Sequence, residues 1–418
     1  MLYRPDSPPM GWNSFDCFGW SVDEREFKEN ADYVAEKLKP YGYEYCVVDF
    51  CWAYPGKGRI APPDQTRTNG VADVPLRLDA FGRPMPATEK FPSCTDGFKP
   101  LADYVHAKGL KFGVHLMRGI PWDAVAKKLP ILGSEVTADK IISGENCDWL
   151  NHNAGIDMTA RGAQEYVDSM AALMEEWEVD FVKLDDALRP YRKAEIEAFS
   201  LALDRLGRKI VLSLSPGETP LEEAGHLERY ATMWRIMDDL WDRKSDLKKI
   251  VPLALKWASR HVDRGYPDLD MLPIGRLLKC DDGVGRDSRF NTNNKRYLMA
   301  LWAIAKSPLI IGGHLPETSV KDIGLLTHPD IITLTLKSVN NRILSDDPRY
   351  PVWAAEAENT EYIAFFNATN AIKPFRFPLR REYASVTEAF TGKTKPLPKS
   401  LYGVIPPLGV RLFRLKRV

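Results

Sequence analysis

Val179-Asp-Phe-Val-Lys-Leu-Asp185 follows a stretch in which Tyr166, Met170, Leu173 and Trp177 recur at helical spacing. An amphipathic helix thus feeds a short apolar strand that ends on an acid. The same unit appears on either side. Upstream are Tyr43-Glu-Tyr-Cys-Val-Val-Asp49 and, after a helix near Leu101 to Ala107, Leu110-Lys-Phe-Gly-Val-His115. Downstream come a helix around Ile196 to Leu206 and a strand over Lys209 to Leu214. Tyr230 to Ile236 leads to Asp238-Asp239, a helix near Ser245 to Arg260 precedes Asp268-Leu-Asp270, and Asn294 to Ala305 precedes Leu309-Ile-Ile. At the N-terminal side, Ser21 and Glu24 fit a capping box ahead of Phe27, Ala31, Val34 and Leu38. About eight such units predict an α/β fold, a closed (β/α)8 TIM barrel over residues 1–340. Beyond Asn340 the helical period stops. Val352-Trp-Ala, Tyr362-Ile-Ala-Phe-Phe, Pro374-Phe-Arg-Phe, Val386 to Phe390 and Val410 to Leu415 are short, strand-like and separated by Pro, Gly and Asn. They predict a C-terminal antiparallel β-sandwich over 341–418.

The 418 residues are 44% hydrophobic and 27% charged, the balance of a globular chain rather than a disordered or fibrous one. Lys plus Arg and Asp plus Glu both number 57, so a nucleic-acid or anionic-membrane partner would need a local basic patch, and the densest basic run is only Arg411 to Val418. Neither partner is expected. The longest apolar run, near Tyr297 to Ala305, is far short of a membrane span. The N-terminal residues carry no apolar signal region, and the six Cys have no ligand or disulfide spacing, which together predict a cytoplasmic location with reduced thiols. Asp282-Gly-Val-Gly-Arg-Asp287 lacks both a preceding strand and the Lys of a phosphate loop.

Active sites of (β/α)8 barrels lie at the C-terminal ends of the strands. Here those ends carry Asp49, His115, Lys183 with Asp185, Ser215, Arg235 with Asp239, and Asp270. Such acids also occur as helix caps, but several converging with one Lys and one Arg suit a polyhydroxylated neutral ligand. Two readings follow from the residues. The carboxylates could bind a divalent metal, or two of them could cleave a glycosidic bond as acid and nucleophile. Lys183 and Arg235 favour the second, because they offset the negative charge that a hard metal needs. A non-catalytic sugar-binding barrel would not require both acids. The expected partner is a small-molecule or oligosaccharide substrate, with no cofactor and no metal.

Six motifs in order carry a resemblance. They are Pro8-Pro-Met-Gly-Trp-Asn-Ser14, Tyr43 to Asp49 with Cys51-Trp52, Leu101 to Gly113, Phe181-Val-Lys-Leu-Asp185, Trp234-Arg-Ile-Met-Asp-Asp239 and Asp268-Leu-Asp270-Met-Leu. The chain resembles the α-galactosidase / α-N-acetylgalactosaminidase family, glycoside hydrolase family 27 of clan D. The resemblance implies a retaining exo-glycosidase working by double displacement. Asp185 would be its nucleophile and Asp239 its acid/base. Asp49, Lys183, Arg235 and Asp270 would hold sugar hydroxyls, and Trp12 and Met271 would shape the pocket wall. Asp238 is expected as a surface or supporting acid and Asp186 as a helix start.

The departures from the family pattern bear on substrate. The usual α-galactosidase has two adjacent acids at the second strand, holding the C4 and C6 hydroxyls, whereas this chain has Asp49-Phe50. Losing a partner for a hydroxyl disfavours sugars that carry it; the other place for Phe50 is the barrel core. The common Gly-Trp-Asn-Ser-Trp ends in Phe15, His115 replaces a frequent Tyr as a wall residue, and Ser215 stands where the 2-substituent is read. The leading expectation is removal of a terminal α-galactose-like residue. A β-L-arabinopyranoside, which has galactose's ring stereochemistry without C6, and an α-N-acetylgalactosaminide are the alternatives, with an α-glucoside behind them.

Overall fold

The computed structural model describes residues 2–55, 76–150, 152–260, 262 and 264–418. Its first part alternates strand and helix: β1 (Met10–Asn13), α1 (Glu24–Tyr33), β2 (Tyr45–Val48), α2 (Lys99–His106), β3 (Lys111–Met117), α3 (Ala163–Glu176), β4 (Phe181–Asp185) and α4 (Lys193–Asp204). It continues with β5 (Val211–Leu214), α5 (Ala224–Tyr230), β6 (Met233–Arg235), α6 (Lys244–Ser259), β7 (Tyr266–Asp268), α7 (Thr292–Ile304), β8 (Leu309–Ile311) and α8 (Pro329–Lys337). The strands form one parallel sheet in the order β8-β1-β2-β3-β4-β5-β6-β7. Its two ends meet just past β7, where Leu272 bridges Ile311 in parallel and donates its N–H to the Ile310 carbonyl at 2.7 Å. The sheet is a (β/α)8 barrel.

Strand alternation sorts the side chains. Trp12, Cys46, Val48, Val114, Val182, Leu184, Leu212 and Trp234 point outward and are buried in the main core with the helices. Tyr45, Val47, Phe181, Val211 and Met233 point inward and form a separate apolar cluster in the barrel. The inward positions one step higher are Asp49, Lys183, Ser213 and Arg235, and the next are Asp185 and Ser215. The barrel interior therefore turns from apolar to charged along the strand direction, and the chemistry gathers at the C-terminal end.

Element boundaries differ from the sequence reading in instructive places. The capping box of α1 is Asp23 with Glu26, not Ser21 with Glu24. Ser21 Oγ instead donates backward to the Phe18 carbonyl at 2.8 Å, which turns the chain before the helix starts. Tyr230 belongs to the end of α5, and only Met233–Arg235 extends as strand. No helix starts at Asp186, because φ there is +61° and α4 begins seven residues later.

The C-terminal part is a six-stranded antiparallel sheet in the order β9-β10-β11-β16-β13-β14, with a two-stranded ribbon, β12 with β15, packed on it. The strands are β9 (Val339–Ser345), β10 (Val352–Ala357), β11 (Thr360–Asn367), β12 (Lys373–Pro378), β13 (Tyr383–Glu388), β14 (Thr394–Pro396), β15 (Ser400–Ile405) and β16 (Gly409–Arg417). Alternation again divides the faces. Trp353, Ala355, Tyr362, Ala364 and Phe366 merge with the barrel core, while Ala354, Ile363, Phe365 and Leu415 pack against Phe375, Phe377, Leu401 and Ile405 of the ribbon. This is a small sandwich docked by one face on α7 and α8. Tyr297 meets Phe366 edge-on at 5.3 Å, and Asp330 accepts from both Tyr362 and Arg414. Among the described residues no helix is long and apolar enough to cross a membrane. All six cysteines are free thiols, five of them buried.

Candidate active site

Asp185 ends β4 with its carboxylate surrounded by donors. His115 Nε2 lies 3.1 Å from Oδ2, while Ser215 Oγ and the Asp186 N–H each donate to Oδ1 at 2.9 Å. These contacts follow from register, since β3 and β5 flank β4 and set His115 and Ser215 on its inward face. Burial opposes ionisation of Asp185, but the hydrogen bond and charge of His115, helped by Lys183, outweigh it. The carboxyl is held well below the ordinary range. Lys183, two residues earlier on the same face, donates to Asp49 Oδ2 at 2.9 Å. Asp49 is 1% exposed and also accepts from Asn13 Nδ2 at 2.7 Å; burial pushes its carboxyl up, but Lys183, His115 and Asn13 together bring it below its usual value.

Across the barrel, Arg235 divides its guanidinium between two acids. Nη1 lies 2.6 Å from Asp270 Oδ1 and Nη2 donates to Asp239 Oδ1 at 3.1 Å. The i,i+4 spacing of Arg235 and Asp239 spans the turn after β6, and leaves Asp239 56% exposed at the mouth while Arg235 is buried. Asp270 sits at φ +89°, a left-handed conformation that a non-glycine residue adopts at a cost. The Trp302 indole N–H bonds its carbonyl at 2.9 Å, and Asp268 Oδ1 accepts its N–H at 2.9 Å. Asp270 Oδ2 accepts the Leu240 N–H at 2.6 Å. Burial, aided by Asp239 and Asp268 and resisted by Arg235, pushes Asp270 up to about 7.

Asn13, Lys183, Ser215, Arg235, Asp270 and Met271 line one cavity in the barrel mouth. Phe50 is half-buried and lies on the rim rather than in the core. Its ring meets His115 edge-on at 5.7 Å and Phe15 at 6.4 Å. A second cavity is lined by Phe50, Trp52, Tyr54, His115 and His152.

Most of the expected site residues thus converge, with one correction. Trp12 does not face the pocket. It is completely buried, packed on Phe18 and Phe27, with its indole N–H on the Gly313 carbonyl at 2.9 Å. On β1 the outward parity falls on Trp12, so the inward position is its neighbour Asn13. The aromatic at the mouth is Phe15, whose ring lies 5.7 Å from Lys183 Nζ and 6.4 Å from the Trp241 ring. Strand parity applied to Met10–Asn13 could have found Asn13. Arg118 was also missed: it is buried and binds Asp186 and Glu195, each at 2.7 Å, behind the nucleophile candidate. Only tertiary contact brings these three together, and Asp186 spends its carboxylate on this pair rather than on a helix start. Asp238 is half-exposed and pairs with Arg189 at 2.6 Å.

The strand-end acids are each tied to a cation or to several donors rather than grouped as metal ligands. Among the described residues, the grouping with metal-ligand spacing is Asp103, His106 and Glu178, on the outer helices, where Lys99 already bridges Asp103 and Glu178.

Comparison with known proteins agrees with this architecture. The family model described as alpha galactosidase A matches residues 152–337. An α-galactosidase of rice is 27% identical over 84% of this chain and 69% of its own length. The mouse α-N-acetylgalactosaminidase is 27% identical over 89% and 79%. The structure of a family 27 β-L-arabinopyranosidase from Geobacillus stearothermophilus superposes with a TM-score of 0.92 and 38% identity, covering 99% of this chain and 97% of that one. With that identity over nearly the whole length of both chains, this protein belongs to glycoside hydrolase family 27.

Proposed function

We propose that this glycoside hydrolase removes a terminal galacto-configured pyranoside by double displacement, and that it prefers a β-L-arabinopyranoside to an α-galactoside. The observation that carries the preference is the position of Phe50. It stands on the rim against His115 and Phe15, next to Asp49, where an α-galactosidase would offer a second carboxylate. A C6 hydroxyl brought against that ring would be buried without a partner, which costs binding in the transition state. A pyranose ring that ends at C5 has no such group. The similar β-L-arabinopyranosidase of Geobacillus stearothermophilus supports the same preference.

The chemistry follows from the asymmetry of the two acids. Asp185, ionised by its donors and nearby Lys183, attacks C1 as the glycosidic C–O bond breaks. Asp239, at the exposed mouth where a leaving group departs, gives its proton to the glycosidic oxygen. In the second step Asp239 takes a proton from water, the water oxygen attacks C1, and the bond to Asp185 breaks. Asp49 with Lys183, and Asp270 with Arg235, hold ring hydroxyls through charge-assisted bonds.

The test is a set of p-nitrophenyl glycosides that differ only at C2, C4 and C6. The β-L-arabinopyranoside should have the highest kcat/KM, above the α-galactoside, the α-N-acetylgalactosaminide and the α-glucoside. Asp185→Asn and Asp239→Asn should each cost at least about a hundredfold while melting like the parent. A faster α-galactoside would remove the Phe50 argument, and near-parental turnover by either variant would remove the assigned roles.

A further inference from the structure

Asp186, the residue after Asp185, has φ +61°, in the left-handed region. It is buried, and its N–H donates to Asp185 Oδ1 at 2.9 Å. Both peptide groups that flank it are held from outside. The Asp185 carbonyl accepts the Arg118 N–H at 3.0 Å, and the Ala187 N–H donates to the Ser215 carbonyl at 2.9 Å. The Asp186 carbonyl accepts Arg118 Nε at 2.9 Å. The same Nε donates to Asp186 Oδ2 at 2.8 Å, and Nη2 lies 2.7 Å from that oxygen. Arg118 is itself buried and is fixed by Glu195 Oε1 on Nη1 and by the Glu145 carbonyl on Nη2, each at 2.7 Å.

We propose that Arg118 is a positioning residue of the hydrolytic site: it clamps Asp186 in the left-handed conformation and so keeps the Asp186 N–H on the carboxylate that attacks C1. The proposal rests on the reading of Asp185 as the nucleophile. A residue with a Cβ and no support disfavours this conformation by about 5- to 30-fold, whereas glycine adopts it freely. Because the chain on either side is fixed to β3 and β5, a switch of φ to the negative range has to turn one of the two flanking peptide groups. Turning the first takes the Asp186 N–H off Oδ1. Turning the second releases Ala187 from Ser215, whose hydroxyl is the other donor to Oδ1. Either way the nucleophile loses a fixed donor. Arg118 prevents both, because its backbone N–H and its Nε hold the carbonyls before and after the Asp186 Cα. Its charge is offset by Asp186 and Glu195, so what it gives Asp185 is geometry rather than field.

The test compares glycine with alanine at position 186, with and without Arg118. The double variants, Arg118→Met with Asp186→Gly and Arg118→Met with Asp186→Ala, lose the same two charges and differ only in whether residue 186 takes a positive φ unaided. On the p-nitrophenyl sugar hydrolysed fastest, the alanine pair should have a kcat about tenfold or more below that of the glycine pair. KM should be the same in both, because Asp49, Lys183, Arg235 and Asp270, which hold the sugar, bond neither residue. With Arg118 in place, Asp186→Gly and Asp186→Ala should differ by no more than about threefold, since Nε still holds the carbonyl of residue 186. Crystal structures give the second readout: the glycine pair should keep a positive φ with its N–H on Oδ1, and the alanine pair should lose both. If the methionine variants do not fold, Arg118→Lys replaces Arg118→Met in each pair, keeping a cation for Glu195 without the planar fork. A glycine-to-alanine ratio that is the same with and without Arg118 would overturn the proposal. So would an alanine pair with the parental geometry, whether or not any glycoside is hydrolysed. If the structures separate as expected while every glycoside in the set is inert to the parent, the proposed reaction falls and the clamp stands.

Discussion

Replacing His115 by Phe removes the one side-chain donor to Asp185 Oδ2 while keeping an aromatic ring against Phe50. Asp185 Oδ1 retains Ser215 Oγ and the Asp186 N–H, both at 2.9 Å, so the carboxylate keeps its place and loses one of three donors. A hydrogen bond to a charged group is worth about 1.5–3 kcal/mol, which at 1.36 kcal/mol per unit raises the Asp185 pKa by about one to two units. The sign follows from the direction of the shift. Asp185 lies below the ordinary range, so it is ionised down to low pH and the parent's kcat/KM has little acid limb. Without His115, burial is less opposed and the carboxyl takes up a proton at higher pH. The expected result is a new acid limb in His115→Phe, displaced upward by about one to two units, with activity approaching a plateau near neutrality. The assay is kcat/KM from about pH 2 to 6 on the preferred p-nitrophenyl glycoside, with melting checked at each pH. A uniform loss at every pH, with the acid limb unmoved, would refute the claim that His115 acts through the charge of Asp185.

Two further substitutions probe the rim and the support. Phe50→Asp should raise the ratio of α-galactoside to β-L-arabinopyranoside kcat/KM by about 10- to 150-fold, the worth of one charge-assisted bond to the C6 hydroxyl; an unchanged ratio would show that Phe50 does not read C6. Arg118→Met leaves Asp186 and Glu195 as buried carboxylates without their cation, and should lower stability by about 3–5 kcal/mol in urea unfolding. A loss below about 1 kcal/mol would mean that the pair is exposed to water in solution.

Much of this site was legible before any coordinates. A period of 3.6 alternating with short apolar runs predicts the barrel, because helices and parallel strands bury their apolar faces only by packing on each other. Once the barrel is expected, its geometry directs attention to the strand ends, and Asp49, His115, Asp185, Ser215, Arg235 and Asp270 all lie there. Parity is legible too, and on Met10–Asn13 it selects Asn13 rather than Trp12 as the inward residue. Turn boundaries were harder. Ser21 with Glu24 and Asp23 with Glu26 are equally good capping boxes on paper, and only the path of the chain selects the second.

What the residues determined alone is which side chains have chemistry and in which order the strands present them, since alternation and periodicity are local properties of the backbone. Which of those side chains meet was decided by the closed barrel. Arg235 serves Asp270 and Asp239 together, Arg118 reaches across to Asp186 and Glu195, and Asp16 comes to rest against Gly312. Those pairings depend on the curvature and register of a sheet whose first and last strands touch, and a charge buried by that closure has its protonation state set by neighbours far away in the chain.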